Sequence, residues 1–323
     1  MAELFADLQG QAQAIALLTA ALDQQRLAPA YLFCGPDGVG RRLAAHRFLE
    51  GVIAGLDGSP GVRRRLMDGN HPDLLWVEPT YSDKGTLVPA SQAVEAGISR
   101  KAPPQLRLEQ VRGVTQFLAR RPVEAPRCLV VIEAVEAMAE GAANALLKTL
   151  EEPGGGLLVL LSAAPDRLLS TIRSRCQSIP FARLEPVVMQ RVLERCGAAA
   201  PVERPDPPEL VALAAGSPGA LLEHRQQWQA LPEGLAPRCS SLLNAGGAVS
   251  PLEALALARD LCEALDVEQQ LWLLDWWQQQ IWRQSHHPGP IQRLEQLRQQ
   301  LRSYVQPRLA WEVALLELSG VRA

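Results

Sequence analysis

Apolar and polar positions along this chain follow two different periods, one on either side of about Phe181. Before it, short unbroken apolar runs alternate with stretches in which apolar residues recur every three or four positions, the pattern of parallel strands joined by helices. Ile15, Leu18 and Leu22 mark a helix from about Leu8 to Gln25, and Tyr31–Cys34 reads as the first strand. Arg41–Ile53 is a helix after a glycine-rich turn. Leu74–Val77 is a second strand, entered through the turn Asn70-His71-Pro72-Asp73. Between Pro79 and Pro104 the pattern dissolves into Gly, Pro and Ser, as in a surface loop or hairpin. Leu108–Leu118 is helical, and the apolar run Cys128–Ile132 predicts a central strand covered on both faces. Ala142–Leu150 is a short helix stopped by Pro153 and three glycines, and Leu157–Leu161 is a further buried strand.

After Phe181 the strand pattern is gone. Pro186–Cys196 and Pro208–Ala215 are short helices around a turn rich in proline (Pro201, Pro205, Pro207, Pro208). Gly216-Ser217-Pro218-Gly219 breaks the chain, and from about residue 226 all reads helical, with breaks at Pro232–Pro237, Gly246-Gly247 and Pro288-Gly289-Pro290. The expected organisation is an α/β domain over 1–182, a small helical domain over 183–225 and an all-helical domain over 226–323. Within the last, four of the seven Trp fall between Trp272 and Trp282 on one helix, Val267–Gln284. Trp272 and Trp276 share a face, as do Leu273, Trp277 and Ile281, so this helix demands cover on two sides, as a core helix or as a subunit contact.

Composition narrows the function classes. The 323 residues carry a net charge of −3 with no run of five like charges, so bulk electrostatics do not indicate nucleic-acid binding. Met1-Ala2-Glu3-Leu4-Phe5 lacks the basic start of a signal peptide and no apolar run reaches membrane-spanning length; a cytoplasmic protein without membrane contact is expected. The six cysteines (34, 128, 176, 196, 239, 262) form no C-x-x-C pair, which suits free thiols and no metal.

The chemistry sits at Gly35-Pro36-Asp37-Gly38-Val39-Gly40-Arg41-Arg42, directly after the first strand. This is the frame of a phosphate loop, G-x-x-x-x-G-K-[ST], with its glycines in place. Arg41 stands where the pattern has Lys, and Arg42 where a Ser or Thr hydroxyl would hold Mg²⁺. A guanidinium has donors only and cannot ligate a cation. The strand Leu129–Ile132 ends in Glu133-Ala134, so one acid remains where an ATPase often carries two. A chance strand–turn–helix explains the loop alone; damage in the same direction at a second place favours a retired nucleotide site.

Two further segments, Asn144-Ala145-Leu146-Leu147-Lys148-Thr149-Leu150-Glu151-Glu152-Pro153 and Thr171-Ile172-Arg173-Ser174-Arg175-Cys176, resemble the clamp-loader subunits of bacterial DNA polymerase III, a branch of the AAA+ proteins, and the delta-prime type most. The resemblance includes Asn70–Asp73, Leu108–Arg112 and Ala215–Ala220 and spans roughly residues 5–225; the C-terminal hundred or so residues share only helical character and length. It implies a RecA-like AAA+ domain, a helical lid and a helical collar. It implies that Arg175, in the Ser174-Arg175-Cys176 motif, acts in trans as an arginine finger on a neighbouring subunit's ATP, a role suited to an always-charged planar fork. Gly219 stands where active relatives have a sensing Arg, and the first sensor position falls near Ser162 or Ala163.

The chain is therefore expected to lack ATPase activity of its own and to bind no cofactor. Relatives carry a four-cysteine zinc module where Gly51–Asp73 has none, so no zinc is expected there, and Arg63-Arg64-Arg65 reads as a solvated helix face or, more sharply, a DNA contact. The implied partners are motor subunits of the tau/gamma type and a delta subunit in a hetero-pentamer, with the sliding clamp and primed DNA reached through the complex. The alternatives are a nucleotide-binding or ATP-hydrolysing motor subunit of the same fold, and an unrelated interaction module that borrows it.

Overall fold

The computed structural model of the chain describes residues 3–83, 85–93, 95–97, 103–198, 205–244, 250–303 and 305–319. The chain divides into two compact units, residues 1–192 and 193–323. Along the first run α1 (Ala12–Asp23), β1 (Ala30–Cys34), α2 (Arg41–Ala54), α3 (Pro60–Met67), β2 (Leu74–Val77) and a hairpin of β3 (Thr80–Asp83) and β4 (Thr86–Pro89). There follow α4 (Leu108–Leu118), β5 (Leu129–Ile132), α5 (Glu140–Glu151), β6 (Leu157–Ser162), the single turn α6 (Ser170–Arg173) and β7 (Gln177–Pro180). The unit boundary falls inside α7 (Pro186–Arg195).

Five strands make one parallel sheet in the order β2-β5-β6-β1-β7, so β6 is inserted between β1 and β5. The apolar runs are continuous because both faces are covered. Successive side chains of a strand point to opposite faces. Leu129 and Val131 join Tyr31, Phe33, Val159 and Phe48 on the side of α1 and α2, while Val130 and Ile132 join Leu32, Leu160, Val114 and Leu146 on the side of α4 and α5. No apolar run marks β7. Only Ile179 of its four residues is buried, since an edge strand has one neighbour and tolerates polar positions.

The arginines of α3 face solvent in part, and two of them are ion-paired. Arg63 donates to Glu50 at 2.9 Å, and Arg65 makes two bonds to Glu124 at 2.6 and 3.0 Å. Glu50 is fully buried at the inner end of α2 and accepts from Arg47, from Arg63 and from the Ser59 backbone N–H at 2.9 Å. Arg47 in turn binds Asp7 through Nε at 2.9 Å. This network pins the turn from α2 to α3 and the segment before α1 to one helix.

The second unit holds α8 (Pro208–Ala214), α9 (Pro218–Ala230), α10 (Leu235–Asn244), α11 (Pro251–Ala264), α12 (Val267–Ser285), α13 (Pro288–Arg302) and α14 (Pro307–Leu318). Side-chain caps by Ser217, Ser250 and Asp266 start α9, α11 and α12. Helix α8 packs on α9 and on α12, so helices of the expected lid and collar segments share one compact unit. The tryptophan-rich α12 is a core helix: Leu273, Leu274, Trp276, Trp277 and Ile281 are buried, and Trp272 Nε1 donates to His224 at 3.1 Å. Trp282 alone of its tryptophans is exposed, on an open groove of about 400 Å³ beside Pro288 and Ile291.

Removing one partner of a buried ion cluster leaves the others unpaired, at about 3–5 kcal/mol. Glu50→Ala is expected to lower stability by that amount in urea unfolding of the full chain followed by circular dichroism, whereas chelation with EDTA should leave the wild-type midpoint in place.

Candidate functional site

The crevice at the C-terminal ends of β1 and β5 is where open parallel sheets place ligands. The loop 35–40 leaves β1 there and opens α2. Gly35 is required by close approach: a Cβ would lie 2.3 Å from the Phe181 carbonyl oxygen. Gly40 takes φ +104° as the residue before α2, a conformation that side chains disfavour. Two anchors hold the loop. The Gly35 N–H donates to the Ser162 carbonyl at 3.1 Å. Buried Gln11 donates to the carbonyls of Val39 (3.1 Å) and Ala182 (2.8 Å) and accepts from the Ala182 N–H at 3.0 Å.

Both loop arginines have carboxylate partners within the chain. Arg41 is buried and bonded to Asp37 of its own loop. Arg42 lies 3.2 Å from the Glu133 carboxylate and stacks its guanidinium over Trp76, 5.3 Å from the ring centre. Glu133 also accepts from Trp76 Nε1. On the Trp76 ring lies His46, nearly parallel at 4.3 Å. Burial, then the charges of Arg42 and Arg47, pull its pKa down to about 4, so this imidazole is neutral at pH 7. The acid that ends β5 is thus neutralised by a guanidinium from the residue that would carry the metal-binding hydroxyl. Ser162, at the expected sensor position, is buried, and its hydroxyl accepts from the Ala164 N–H at 3.2 Å. In the second unit Ser217 is the N-cap of α9, and Gly219 lies in that helix's first turn.

Ser174, Arg175 and Cys176 come together between α6 and β7, away from this crevice. Because β7 runs parallel to β1 with Gln177 beside Tyr31, Arg175 lies before the start of β1. The loop follows Cys34, and four residues, roughly 13 Å of strand, separate the two levels. The Ser174 hydroxyl donates to the Thr171 carbonyl at 3.2 Å and closes the turn. Cys176 packs against the core beneath α5, and burial followed by the charge of Cys34 pushes its thiol up to about 12; it is an anchor, not a nucleophile. Arg175 is left on the surface, with Nη1 donating to the Thr171 carbonyl at 3.1 Å and Nη2 to Glu151 at 2.8 Å. Among the described residues no group of three or more His, Cys, Asp or Glu is placed to hold a metal ion, and no helix is long and apolar enough to cross a membrane.

Residues 10–185 match the family model described as DNA polymerase III, delta subunit, and residues 187–318 that of the cyanobacterial DNA polymerase III delta prime C-terminal domain. The chain belongs to the DNA polymerase III delta-prime family. The match to the first model contains the loop, Glu133 and the Ser-Arg-Cys turn. Among relatives, DNA polymerase III subunit delta' of Pseudomonas aeruginosa is 35% identical over 208 residues, 59% of this chain and 54% of that protein. The Bacillus subtilis subunit delta' is 33% identical over 192 residues, 57% and 52% of the two chains. The chain spans about half the length of these curated relatives. A solved structure of a DNA polymerase III gamma subunit-related protein from Thermotoga maritima shares the fold at TM-score 0.53 and 17% identity, covering 95% of this chain and 99% of that one.

The family's His71-Pro72-Asp73 turn has a defined physical role here. Buried Asp73 accepts backbone N–H bonds from Val123, Glu124 and Ala125, each at 2.7 Å. Burial pushes its pKa up, but the donors Ala125, Glu124 and Val123 outweigh it and hold the carboxyl below its ordinary value. A depressed folded pKa gives stability that is complete above the unfolded value of about 3.9 and is lost as pH falls through the folded one. Asp73→Asn should cost roughly 1.5–3 kcal/mol at pH 7. In urea titrations between pH 7 and pH 2 the gap to wild type should close only below the unfolded pKa.

Proposed function

We propose that the chain is a non-motor subunit of the DNA polymerase III clamp loader, one that burns no ATP and lends Arg175 to a neighbour that does. The observation that carries this reading is the parallel register of β1 and β7, which sets Arg175 at the opposite end of the sheet from its own loop. A cation so placed is set away from its own loop, which suits a nucleotide held by another subunit. The occupied loop supports the same division: Arg41 is bonded within it, and Arg42 neutralises Glu133. What remains of the nucleotide site is shape, fixed by Gly35, Gly40 and Gln11.

In this role the subunit stabilises a hetero-pentamer with tau/gamma-type motor subunits and a delta subunit, in the cytoplasm. ATP binds at the motor subunit beside it. As that subunit's γ-phosphoryl group transfers to water, negative charge gathers on its equatorial oxygens, and the Arg175 fork stabilises it. The assembly spends this turnover on opening the sliding clamp and loading it onto primed DNA.

In the reconstituted complex, Arg175→Ala should leave assembly intact and slow turnover at the adjoining ATP site by about 10³-fold or more. Unchanged DNA-stimulated turnover would remove the trans role. Calorimetric titration of the isolated chain with ATP and Mg²⁺ should give no heat of binding; saturable binding lost on mutation of the 35–42 loop would favour the nucleotide-binding alternative.

A further inference from the structure

The two segments Asn144–Pro153 and Thr171–Cys176 pack together through α5 and α6, and an ion pair from Arg175 to Glu151 joins them at the surface. The trans reading gives Arg175 a task and Glu151 none. Glu151 is the last residue of α5 and Glu152 follows it. A helix C-terminus presents unpaired carbonyls and the negative end of the helix dipole, where cations are favoured and carboxylates are not. An acid in that position is helped by a cation; Lys148 lies in the same last turn, and the cation bonded to Glu151 is Arg175. The neighbouring cation repeats the arrangement: Arg173 is tied to exposed Asp166 at 2.9 Å.

Resting on the trans-arginine reading, we propose that Glu151 is a positioning residue that holds Arg175 docked until a triphosphate on the neighbouring subunit competes for it. The geometry suits a contact made to be given up. The Arg175 side chain is 37% exposed and that of Glu151 52%, so water and salt screen the pair. The guanidinium is engaged through Nη1 and Nη2, the edge that would also meet a phosphate in a two-bond fork. A phosphate brings more charge than one carboxylate and displaces it. Once phosphate has left, the unfavourable place of Glu151 at the end of α5 draws the arginine back. Thr171, whose carbonyl takes Nη1, keeps the side chain close to its turn meanwhile.

The test uses the clamp loader reconstituted with its motor subunits, titrated with ATP in the presence of primed DNA. Glu151→Gln removes the competing charge with little change of shape. It should lower the half-saturating ATP concentration by about two- to fivefold at low salt, the range of a surface ion pair. The effect should lie in half-saturation rather than in maximal turnover, and shrink as ionic strength rises. Glu151→Asp, which keeps the charge and shortens the reach, should fall between. In an Arg175→Ala background, Glu151→Gln should have no effect. Thermal melting of each variant chain checks that the fold is kept.

If Arg175→Ala slows turnover while Glu151→Gln leaves half-saturation unchanged or raises it, the competing role of Glu151 is wrong and the trans role of Arg175 stands. The same shift with and without Arg175 would also sink it. No effect of Arg175→Ala on turnover would end both readings together.

Discussion

The Arg42–Glu133 ion pair decides what the crevice of the first unit can be. With β6 inserted between β1 and β5, the loop and the acid stand two strand spacings apart. A carboxylate there needs positive charge, and in a working P-loop enzyme a bound cation supplies it. Here the first turn of α2 reaches across the gap and supplies a guanidinium, with Trp76 giving a second bond and a ring for it to lie on. Arg41 is bonded within the loop to Asp37, so both arginines of the loop have carboxylate partners. Its glycines then have a purely geometric reason to be kept: Gly35 passes too close to Phe181 for any side chain.

The direction of the strands does the rest. The loop follows the end of β1 and the turn precedes the start of β7, so the two stand at different levels of the sheet. The Ser-Arg-Cys turn is built accordingly. Its serine closes the turn, its cysteine packs half-buried against the core, and its arginine lies at the surface. On the reading proposed, a subunit that had closed its own site would keep the arginine at its other end, because Arg175 makes its bonds to Thr171 and Glu151 and not to the loop.

Much of this was legible in the sequence, for identifiable reasons. Continuous apolar runs gave β1, β5 and β6, since strands covered on both faces have no polar positions to confuse the pattern, and the short apolar run of β2 marked it although it is a half-buried edge strand. The loop was readable from glycine spacing, and Arg175 from its motif. β7 was not legible, because one buried residue in four carries no period. Gln11 was also hidden: a buried amide bonded to Val39 and Ala182 depends on a contact 171 residues away. The ion pairs of Arg63 and Arg65 were hidden too, because their partners Glu50 and Glu124 are distant in sequence.

The ionisable groups of the first unit fall into two energetic kinds. Asp73, Glu50 and Glu133 are partly or wholly withdrawn from water, and each is answered in full: by three backbone N–H groups, by two arginines and an N–H, by an arginine and an indole. Leaving Asp73 or Glu50 unpaired is costly, so their contacts hold the fold in one arrangement, while the Arg42 partner of Glu133 is 60% exposed. Glu151 and Arg175 belong to the other kind. Both face water, and a pair so placed contributes at most about 1 kcal/mol. That weakness is the property a releasable contact needs, since a partner buried as Glu50 is could not let its arginine go without unfolding what surrounds it.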